Sequence, residues 1–469
     1  MASKDKGAAA ANQEVEVSLY EAQKKIYPRS VTGVFAKWRW FFVFATQLFF
    51  YGMPWLQWGD RQAMLFDLDT RRFYIFGLVL YPQDVIYLAG ILIISAMLLF
   101  LFTAVAGRQW CGYTCPQTVY TEIYLWIERK FEGDRSARLR LDASPMSLNK
   151  FWRKTGKQLA WIAVGLWTGF TFVGYFTPIR ELAMHVIGMS LGPWETFWIC
   201  FYGFATYGNG GYMREQVCKY MCPYARFQSA MFDKDTLIVT YDAKRGEPRG
   251  ARSKKADPRA LGLGDCVNCT LCVQVCPTGI DIRNGLQYEC ISCAACIDVC
   301  DDVMDKVGYP RGLIRYSTER AMEEGWNRAQ ILQRVLRPRV LIYSAILAVV
   351  TIALLASLVM RTPFKVDIVR DRATLARIVE GGKIENVYRV QIMNATEHAR
   401  QYTLSAEGLP GIEMVTDKQV TVDAAESLWV PVRLRVPYDA ASPGSHEIRI
   451  GVSAPDGVVQ EKSVFIVPR

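Results

Sequence analysis

Eight cysteines are concentrated between Cys266 and Cys300, in two runs with the same spacing. In each run two gaps of two residues are followed by a gap of three. A [4Fe–4S] cubane needs four thiolates at its corners, and in two-cluster ferredoxins the fourth cysteine of each run binds the other cluster. The spacing therefore predicts two [4Fe–4S] clusters, one held by Cys266, Cys269, Cys272 and Cys300, the other by Cys276, Cys290, Cys293 and Cys296.

A pair of structural zinc sites is the alternative for these cysteines. Zinc ribbons separate two C-x2-C pairs, whereas three cysteines follow one another closely here, so zinc is disfavoured. Pro277 follows the first run, but Asp301 takes the equivalent place after the second. This exchange alters local stiffness and charge without changing the number of thiol ligands.

Four further cysteines belong to an internal repeat, which we call the C-x3-C-P motifs. The segment from Gln109 to Pro116 and the segment from Gln216 to Pro223 both read Q-x-C-x-Y-x-C-P. Each follows an apolar run, so the chain resembles a duplicated helix-pair unit. We expect the two pairs to meet at the membrane surface, beside Tyr113 and Tyr220, as a shared redox or metal site. The four thiols could hold a third cluster, bind Cu(I) or form disulfides, or they could merely end the helices. The candidate catalytic or metal-binding residues of this shared site are Cys111, Cys115, Cys218 and Cys222.

The elements that position these cysteines are predicted to be membrane helices. Hydrophobic residues make up 51% of the 469 residues, yet 21% are charged, which indicates membrane spans combined with water-facing domains. Phe73–Tyr81 is too short to span and is expected to be interfacial or re-entrant. Five apolar runs are candidate spans: Trp40–Trp58, Val85–Ala106, Leu159–Phe176, Trp194–Tyr212 and Val340–Met360.

The orientation of these spans is predicted from the basic residues in the loops. Ten Lys and Arg residues lie in 107–158, whereas 177–193 contains Arg180 alone. This alternation places the N-terminus and the ferredoxin module inside and the C-terminus outside. The first 33 residues hold no apolar core, so a cleavable signal peptide is not expected.

The residue pattern of the chain changes after Arg361. About seven short alternating or β-branched runs follow, separated by Gly, Pro, Asn and Asp, which is typical of an immunoglobulin-like sandwich. The predicted fold is thus multidomain: an α-helical membrane domain, a 2[4Fe–4S] ferredoxin module and an all-β sandwich. The domains are 1–39 (cytoplasmic N-terminal segment), 40–241 (four-helix membrane domain), 242–339 (ferredoxin module with a basic linker at 242–259), 340–360 (fifth span) and 361–469 (immunoglobulin-like domain).

Composition excludes several classes of function. The net charge of +10 arises from loops on one side of the presumed membrane, so we expect no nucleic-acid partner. Three histidines are too sparsely placed for a bis-histidine haem, and we find no glycine-rich dinucleotide motif. Cys200 stands alone in a span and is expected to be a packed small side chain. Electrons must come from a separate donor that the sequence does not identify.

The combination resembles the cytochrome c oxidase accessory proteins of the CcoG/FixG/RdxA type. The similarity rests on both C-x3-C-P motifs, the double ferredoxin run, the stretch from Cys296 to Ser317 and the terminal β domain. It implies a bacterial inner-membrane protein, with the β domain in the periplasm, that assists assembly of cbb3-type oxidase by reducing its substrate Cu(II) to Cu(I). The partners so implied are membrane lipid, oxidase assembly factors and copper chaperones, with homo-oligomerisation left open. The resemblance implies that the eight ferredoxin cysteines correspond to the family's cluster ligands. It implies that the four C-x3-C-P cysteines correspond to the family's second cysteine set.

Two other classes of function remain open at this point. One is an electron relay from a quinol or soluble donor to another membrane complex, since related layouts serve nitrate and nitrous oxide reductases. The other is a non-catalytic assembly scaffold with structural clusters. Addition of Cu(II) separates these classes, because a reductase would oxidise its reduced clusters and a scaffold would not.

Overall fold

A computed structural model describes residues 25–253, 261–371 and 376–468. Most of the predicted N-terminal segment (1–24), part of the basic linker (254–259) and Arg469 lie outside these residues. The described helices are α1 (Val34–Gly52), α2 (Val85–Ala106), α3 (Gln109–Tyr113), α4 (Pro116–Glu132), α5 (Arg135–Ala143), α6 (Leu148–Val173), α7 (Ile179–Ile187), α8 (Pro193–Tyr207), α9 (Pro223–Met231), α10 (Ala243–Gly246), α11 (Leu271–Gln274), α12 (Ala295–Val307), α13 (Glu319–Glu324), α14 (Arg328–Gln333) and α15 (Pro338–Val359).

The described strands fall into small sheets before residue 320 and a larger pair of sheets after Arg361. The first group is β1 (Gln57–Trp58), β2 (Arg61–Gln62), β3 (Met64–Asp67), β4 (Arg72–Ile75), β5 (Leu78–Leu80), β6 (Ile238–Tyr241) and β7 (Ile314–Ser317). The second is β8 (Phe364–Arg370), β9 (Arg377–Val379), β10 (Lys383–Asn394), β11 (Arg400–Glu407), β12 (Glu413–Met414), β13 (Gln419–Val422), β14 (Ser427–Pro437), β15 (Gly444–Ala454) and β16 (Gly457–Val467).

Helices occupy all five predicted span positions, but within the described residues two are long and apolar enough to cross a membrane. These are Pro82–Ala106, which contains α2, and Pro338–Val359, which is α15. The helix α8 has 15 residues, fewer than the roughly 20 that span a bilayer. The first half of α6 is basic, and α1 carries Lys37 and Arg39. Five spans therefore stay a prediction.

The predicted helix pairs pack differently in the two repeat units. In the second unit, α6 and α8 lie against each other through small residues. A β-carbon at Gly165 would lie 2.7 Å from the carbonyl oxygen of Gly203, so the two backbones approach as in small-xxx-small packing. In the first unit, α2 packs along α15, where Gly90 faces Leu354.

The C-terminal segment forms a two-layer β-sandwich. One sheet has the order β12-β14-β10-β8 with β9 paired to β10, and the other has the order β13-β11-β15-β16. The core between them contains Phe364, Tyr388, Tyr402 and Phe465, all fully buried. All seven predicted strands are present, and the short β9 and β12 were not predicted.

The segment Phe73–Tyr81 forms a β-hairpin, and its interfacial or re-entrant position stays a prediction. Strand β4 pairs with both β3 and β5, and Tyr74, Val79 and Tyr81 are buried against the sandwich residues Met393 and Ala395. The Tyr81 hydroxyl donates a hydrogen bond of 2.9 Å to the carbonyl oxygen of Asn394. The backbone of this short apolar run forms its hydrogen bonds within the sheet, and the sandwich covers its side chains.

Candidate redox centre

One cavity in the ferredoxin module, which we call the first cavity, is lined by four of the predicted ligands. They are Cys266, Cys269, Cys272 and Cys300, three from the first run and the last from the second. The loop turns tightly because Asn268 (φ 52°) and Thr270 (φ 57°) adopt the left-handed conformation on either side of Cys269. Left-handed backbone is uncommon outside glycine, and here it lets a single loop present three thiols to one point.

A neighbouring second cavity is lined by the other four predicted ligands, Cys276, Cys290, Cys293 and Cys296. Its loop repeats the first, because Ser292 (φ 53°) and Ala294 (φ 59°) flank Cys293 in the left-handed conformation. The two cavities adjoin, since Cys272 also borders the second. The structure thus brings together the cysteines in the two crossed sets that the spacing predicted.

The residues around both cavities fit [4Fe–4S] clusters. Four thiols face each cavity, and the remaining walls are largely apolar, including Leu313 and Ile314 in the first and Ile280 and Ile282 in the second. Among the described residues no three His, Cys, Asp or Glu side chains are grouped closely enough to hold a single metal ion. The ligands of a cubane bind different iron atoms and so lie further apart than the ligands of one ion.

The two cavities differ in their exposure to solvent. Cys269 of the first set is exposed, whereas Cys293 of the second is buried. Burial raises the pKa of the Cys290 thiol to about 12 and that of Cys272 to about 11. Bound metal would hold such groups as thiolates. The first cavity is therefore the nearer of the two to solvent.

Both C-x3-C-P motifs end in the same way. Cys115 is the N-cap of α4 and Cys222 is the N-cap of α9, and in each helix the following proline takes the first helical position. Proline suits that position because its fixed φ is already helical and its missing N–H has no partner to lose there. Cys218 lies in a π-helical turn over Val217–Met221, whereas Cys111 lies in the short α-helix α3.

The four C-x3-C-P thiols influence one another electrostatically. Burial raises the pKa of Cys218 to about 12, and the Cys115, Cys111 and Cys222 thiols add to this rise. Burial likewise raises the pKa of Cys111 to about 11, with Cys115 and Cys222 contributing. Cys111 Sγ also lies 3.4 Å from Oε1 of Gln228. The structure therefore brings the two repeat units together at these thiols.

The first C-x3-C-P motif packs directly on the loop of the second cavity. A β-carbon at Gly112 would lie 2.6 Å from the carbonyl oxygen of Ile291 and 2.9 Å from Cα of Cys293. Cys111 packs on the same buried cluster as Ile291 and Cys293. The second motif has Lys219 in the equivalent position. A side chain cannot be accommodated in so close an approach, so the two motifs are not interchangeable.

The tyrosines of the two motifs also differ. The Tyr113 hydroxyl lies 3.2 Å from that of Tyr316, which donates a hydrogen bond of 2.6 Å to the carbonyl oxygen of Ser292. Tyr220 is 63% exposed, so the expectation that both tyrosines pack beside the thiols is wrong for this one. The first motif alone uses its tyrosine to hold the ferredoxin loop.

Two buried arginines complete the site and were missed from sequence. Arg108 precedes the first motif and donates to the carbonyl oxygens of Tyr288 and Ala225, which joins the ferredoxin module to α9, the helix that follows the second motif. Arg39 of α1 donates a hydrogen bond of 2.9 Å to the carbonyl oxygen of Cys293. In the sequence both are ordinary basic residues, since spacing gives no indication of contacts with residues so distant in the chain.

Cys200 lies apart from both cysteine sets. It is exposed on α8, so the expectation that it is packed is not met within this chain. The surface of α8 also presents Trp194, Phe197, Trp198 and Phe204. Cys200 therefore offers a matched control for substitutions at the other cysteines.

Comparison with known proteins agrees with this arrangement. Residues 213–319 match a 4Fe-4S dicluster domain, residues 88–133 match a 4Fe-4S binding domain, and residues 354–468 match the IG-like fold at the C-terminal of FixG. The chain is 39% identical to the nitrogen fixation protein FixG of Rhizobium meliloti, over 94% of this chain and 88% of that protein.

Two proteins of Cereibacter sphaeroides are similarly related. Protein RdxB is 40% identical over 88% of both chains, and protein RdxA is 36% identical over 94% of this chain and 91% of that protein. The chain belongs to the FixG/RdxA family. It is accordingly an iron–sulfur electron-transfer protein with an immunoglobulin-like C-terminal domain, as the resemblance implied.

Proposed function

We propose that this FixG/RdxA-type protein reduces Cu(II) to Cu(I) at the cytoplasmic membrane and supplies Cu(I) for assembly of cbb3-type oxidase. The observation that carries the proposal is the contact between Gly112 and Cys293, which places the C-x3-C-P thiols against the second ferredoxin cavity. One electron converts one Cu(II) to one Cu(I), without making or breaking a covalent bond. Oxidase assembly factors and copper chaperones are the proposed partners, with a separate electron donor.

The eight ferredoxin cysteines are the proposed cluster ligands, in the two crossed sets that line the first and second cavities. When bound, [4Fe–4S] clusters supply one-electron transfer at low potential. The exposed Cys269 marks the first cavity as the side at which a donor approaches. The chain itself excludes water from the second cavity, where Cys293 and Ile291 are buried.

The four C-x3-C-P cysteines are the proposed end of the electron-transfer path that begins at the ferredoxin cavities. A third [4Fe–4S] cluster is our first choice there, because residues 88–133 match a 4Fe-4S binding domain and contain Cys111 and Cys115 but none of the eight ferredoxin cysteines. A Cu(I) or dithiol site is the second choice. Thiolates are soft ligands that favour Cu(I) over Cu(II), so copper that reaches these thiols would be easier to reduce.

The proposed topology has the ferredoxin module in the cytoplasm and the sandwich in the periplasm. Contacts between separate segments support it. On one side, the Arg29 amide donates to the carbonyl oxygen of Gln274 in the ferredoxin module. On the other, the β3–β5 hairpin packs on the sandwich, and Arg361 lies 3.2 Å from Asp84. Segments predicted to be inside thus contact one another, as do segments predicted to be outside.

The test uses full-length protein in detergent, reduced under anaerobic conditions and mixed with Cu(II). Reoxidation of the reduced protein and capture of Cu(I) by a chromogenic chelator are followed together. We expect one Cu(I) for each electron lost. The double variant Cys111→Ser/Cys218→Ser should lose most of this rate, whereas Cys200→Ser should keep it. Reduced protein that stays reduced in the presence of Cu(II) would exclude the reductase function and favour the scaffold.

A further inference from the structure

Arg39 is a buried cation beside the second cavity, although it belongs to α1, the first helix of the described residues. Its side chain is 7% exposed, and Nη1 donates to the carbonyl oxygen of Cys293 at 2.9 Å. Its Nε is buried without a hydrogen-bond partner among the described residues. The end of α1 near Arg39 is fixed to the ferredoxin module, since the Ala36 amide donates to the Asp298 carboxylate at 2.7 Å. The helix backbone is therefore tied to the ferredoxin module close to Arg39, and the guanidinium itself is bonded to the loop of the second cavity.

The first cavity also has an arginine, but its charge is neutralised. Arg283 Nε and Nη2 lie 2.8 Å and 2.6 Å from the two carboxylate oxygens of Asp281. A second carboxylate, Asp301, follows Cys300 directly and accepts a hydrogen bond of 2.9 Å from the Gly312 amide. The first cavity is thus bordered by paired or negative charge, whereas Arg39 forms no ion pair within the described part of the chain.

Glu122 provides the opposing charge at the second cavity. Arg39, Glu122 and Cys293 border one common cavity, which also reaches Cys218. Glu122 is half-buried there, and its side chain is opposite in charge to that of Arg39. The two side chains therefore act in opposite directions on negative charge at this cavity.

We propose that Arg39 sets the reduction potential of the second ferredoxin site, so that helix α1, which is distant from the ferredoxin module in sequence, tunes a cluster bound by that module. The inference rests on the proposed cluster ligands but not on copper reduction. Each reduction adds one negative charge to the site, and a fixed cation nearby stabilises the reduced state. Low dielectric strengthens the effect, because buried charges are poorly screened. Arg39 is a positioning residue in this account, since it touches the cluster loop and not the substrate.

The test is a redox titration of full-length protein in detergent, followed by low-temperature EPR. Arg39→Gln should move one component to a more negative potential, and Arg39→Lys should restore most of the shift. Lys37→Gln is the matched control, because it removes one positive charge from an exposed position on the same helix. Asp301→Asn should move the other component to a more positive potential and so assign it to the first site.

If Arg39→Gln loses iron, its reduction potential cannot be measured, and Glu122→Gln provides the second test. It removes the opposing charge, so it should move the second component to a more positive potential, opposite in sign to Arg39→Gln. Unchanged potentials in both Arg39→Gln and Glu122→Gln would overturn the proposal. So would a shift of equal size in Lys37→Gln. A failure of copper reduction in the wild type would contradict the proposed function and leave this result unaffected.

Discussion

Gly112 of the first C-x3-C-P motif lies against the backbone of Cys293, with 2.9 Å between a β-carbon built on the glycine and the cysteine Cα. This contact joins the first C-x3-C-P motif to the ferredoxin module without an intervening side chain. The neighbouring Arg108 supports it through hydrogen bonds to Tyr288 and Ala225. Electron transfer between the two cysteine sets depends on this close approach in our account.

Gly112→Ala should weaken that contact. The added methyl group has to displace the backbone of Ile291 or Cys293, and overpacking of this kind costs about 1–3 kcal/mol. We expect lower thermal stability and slower reoxidation by Cu(II), with the iron content retained. Gly52→Ala is the control, since a β-carbon there meets nothing within 4 Å. Equal effects of the two substitutions would mean that the Gly112 contact is unimportant.

Cys269→Ser and Cys293→Ser should each remove or convert one cubane. The two residues occupy equivalent positions in the two loops, between left-handed residues, and line different cavities. Iron analysis and the reduced EPR spectrum measure the outcome, with Cys200→Ser as the control. A full iron content and an unchanged spectrum in either variant would contradict the ligand assignment.

Asp84→Ala should loosen the sandwich from the membrane helices. Asp84 is 3% exposed and lies 3.2 Å from Arg361 and 3.3 Å from Lys365. Removing it leaves the buried Arg361 unpaired, which typically costs about 3–5 kcal/mol. Limited proteolysis should then release the C-terminal domain faster. Glu447→Ala, which breaks an exposed pair with Lys462, should behave like the wild type.

Reporter fusions within residues 254–260 and after the C-terminal residue test the topology. We expect a cytoplasmic signal from the first and a periplasmic signal from the second, because the basic loops alternate and two segments of the chain meet on each side. The same signal from both fusions would mean that α15, the predicted span between them, does not cross the membrane. A periplasmic signal from the first fusion would instead make the short helix α8 the first element to reassess.

Much of this architecture could be predicted from the sequence where the signal is local. Cysteine spacing predicted which four thiols meet at each cavity, because tight loops and one crossing cysteine allow few alternatives. The uninterrupted apolar run predicted α2 at Val85–Ala106. Alternation of apolar residues likewise predicted the strands of the sandwich.

The contacts between distant segments could not be predicted in this way. Phe73–Tyr81 is apolar and short, and periodicity alone does not distinguish a strand from an interfacial segment. Its role became clear only from its packing on Met393 and Ala395. Arg39 and Arg108 are ordinary basic residues in sequence, and their function depends on partners more than 100 residues away.

Iron analysis of the full-length protein, with and without the C-x3-C-P thiols, tests the central claim most directly. The wild type should contain about twelve iron atoms per chain if a third cubane is present, and Cys111→Ser/Cys218→Ser about eight. The ferredoxin EPR signals should stay unchanged in the double variant, while reoxidation by Cu(II) is lost. An unchanged iron content together with undiminished copper reduction would contradict a shared site at these four cysteines.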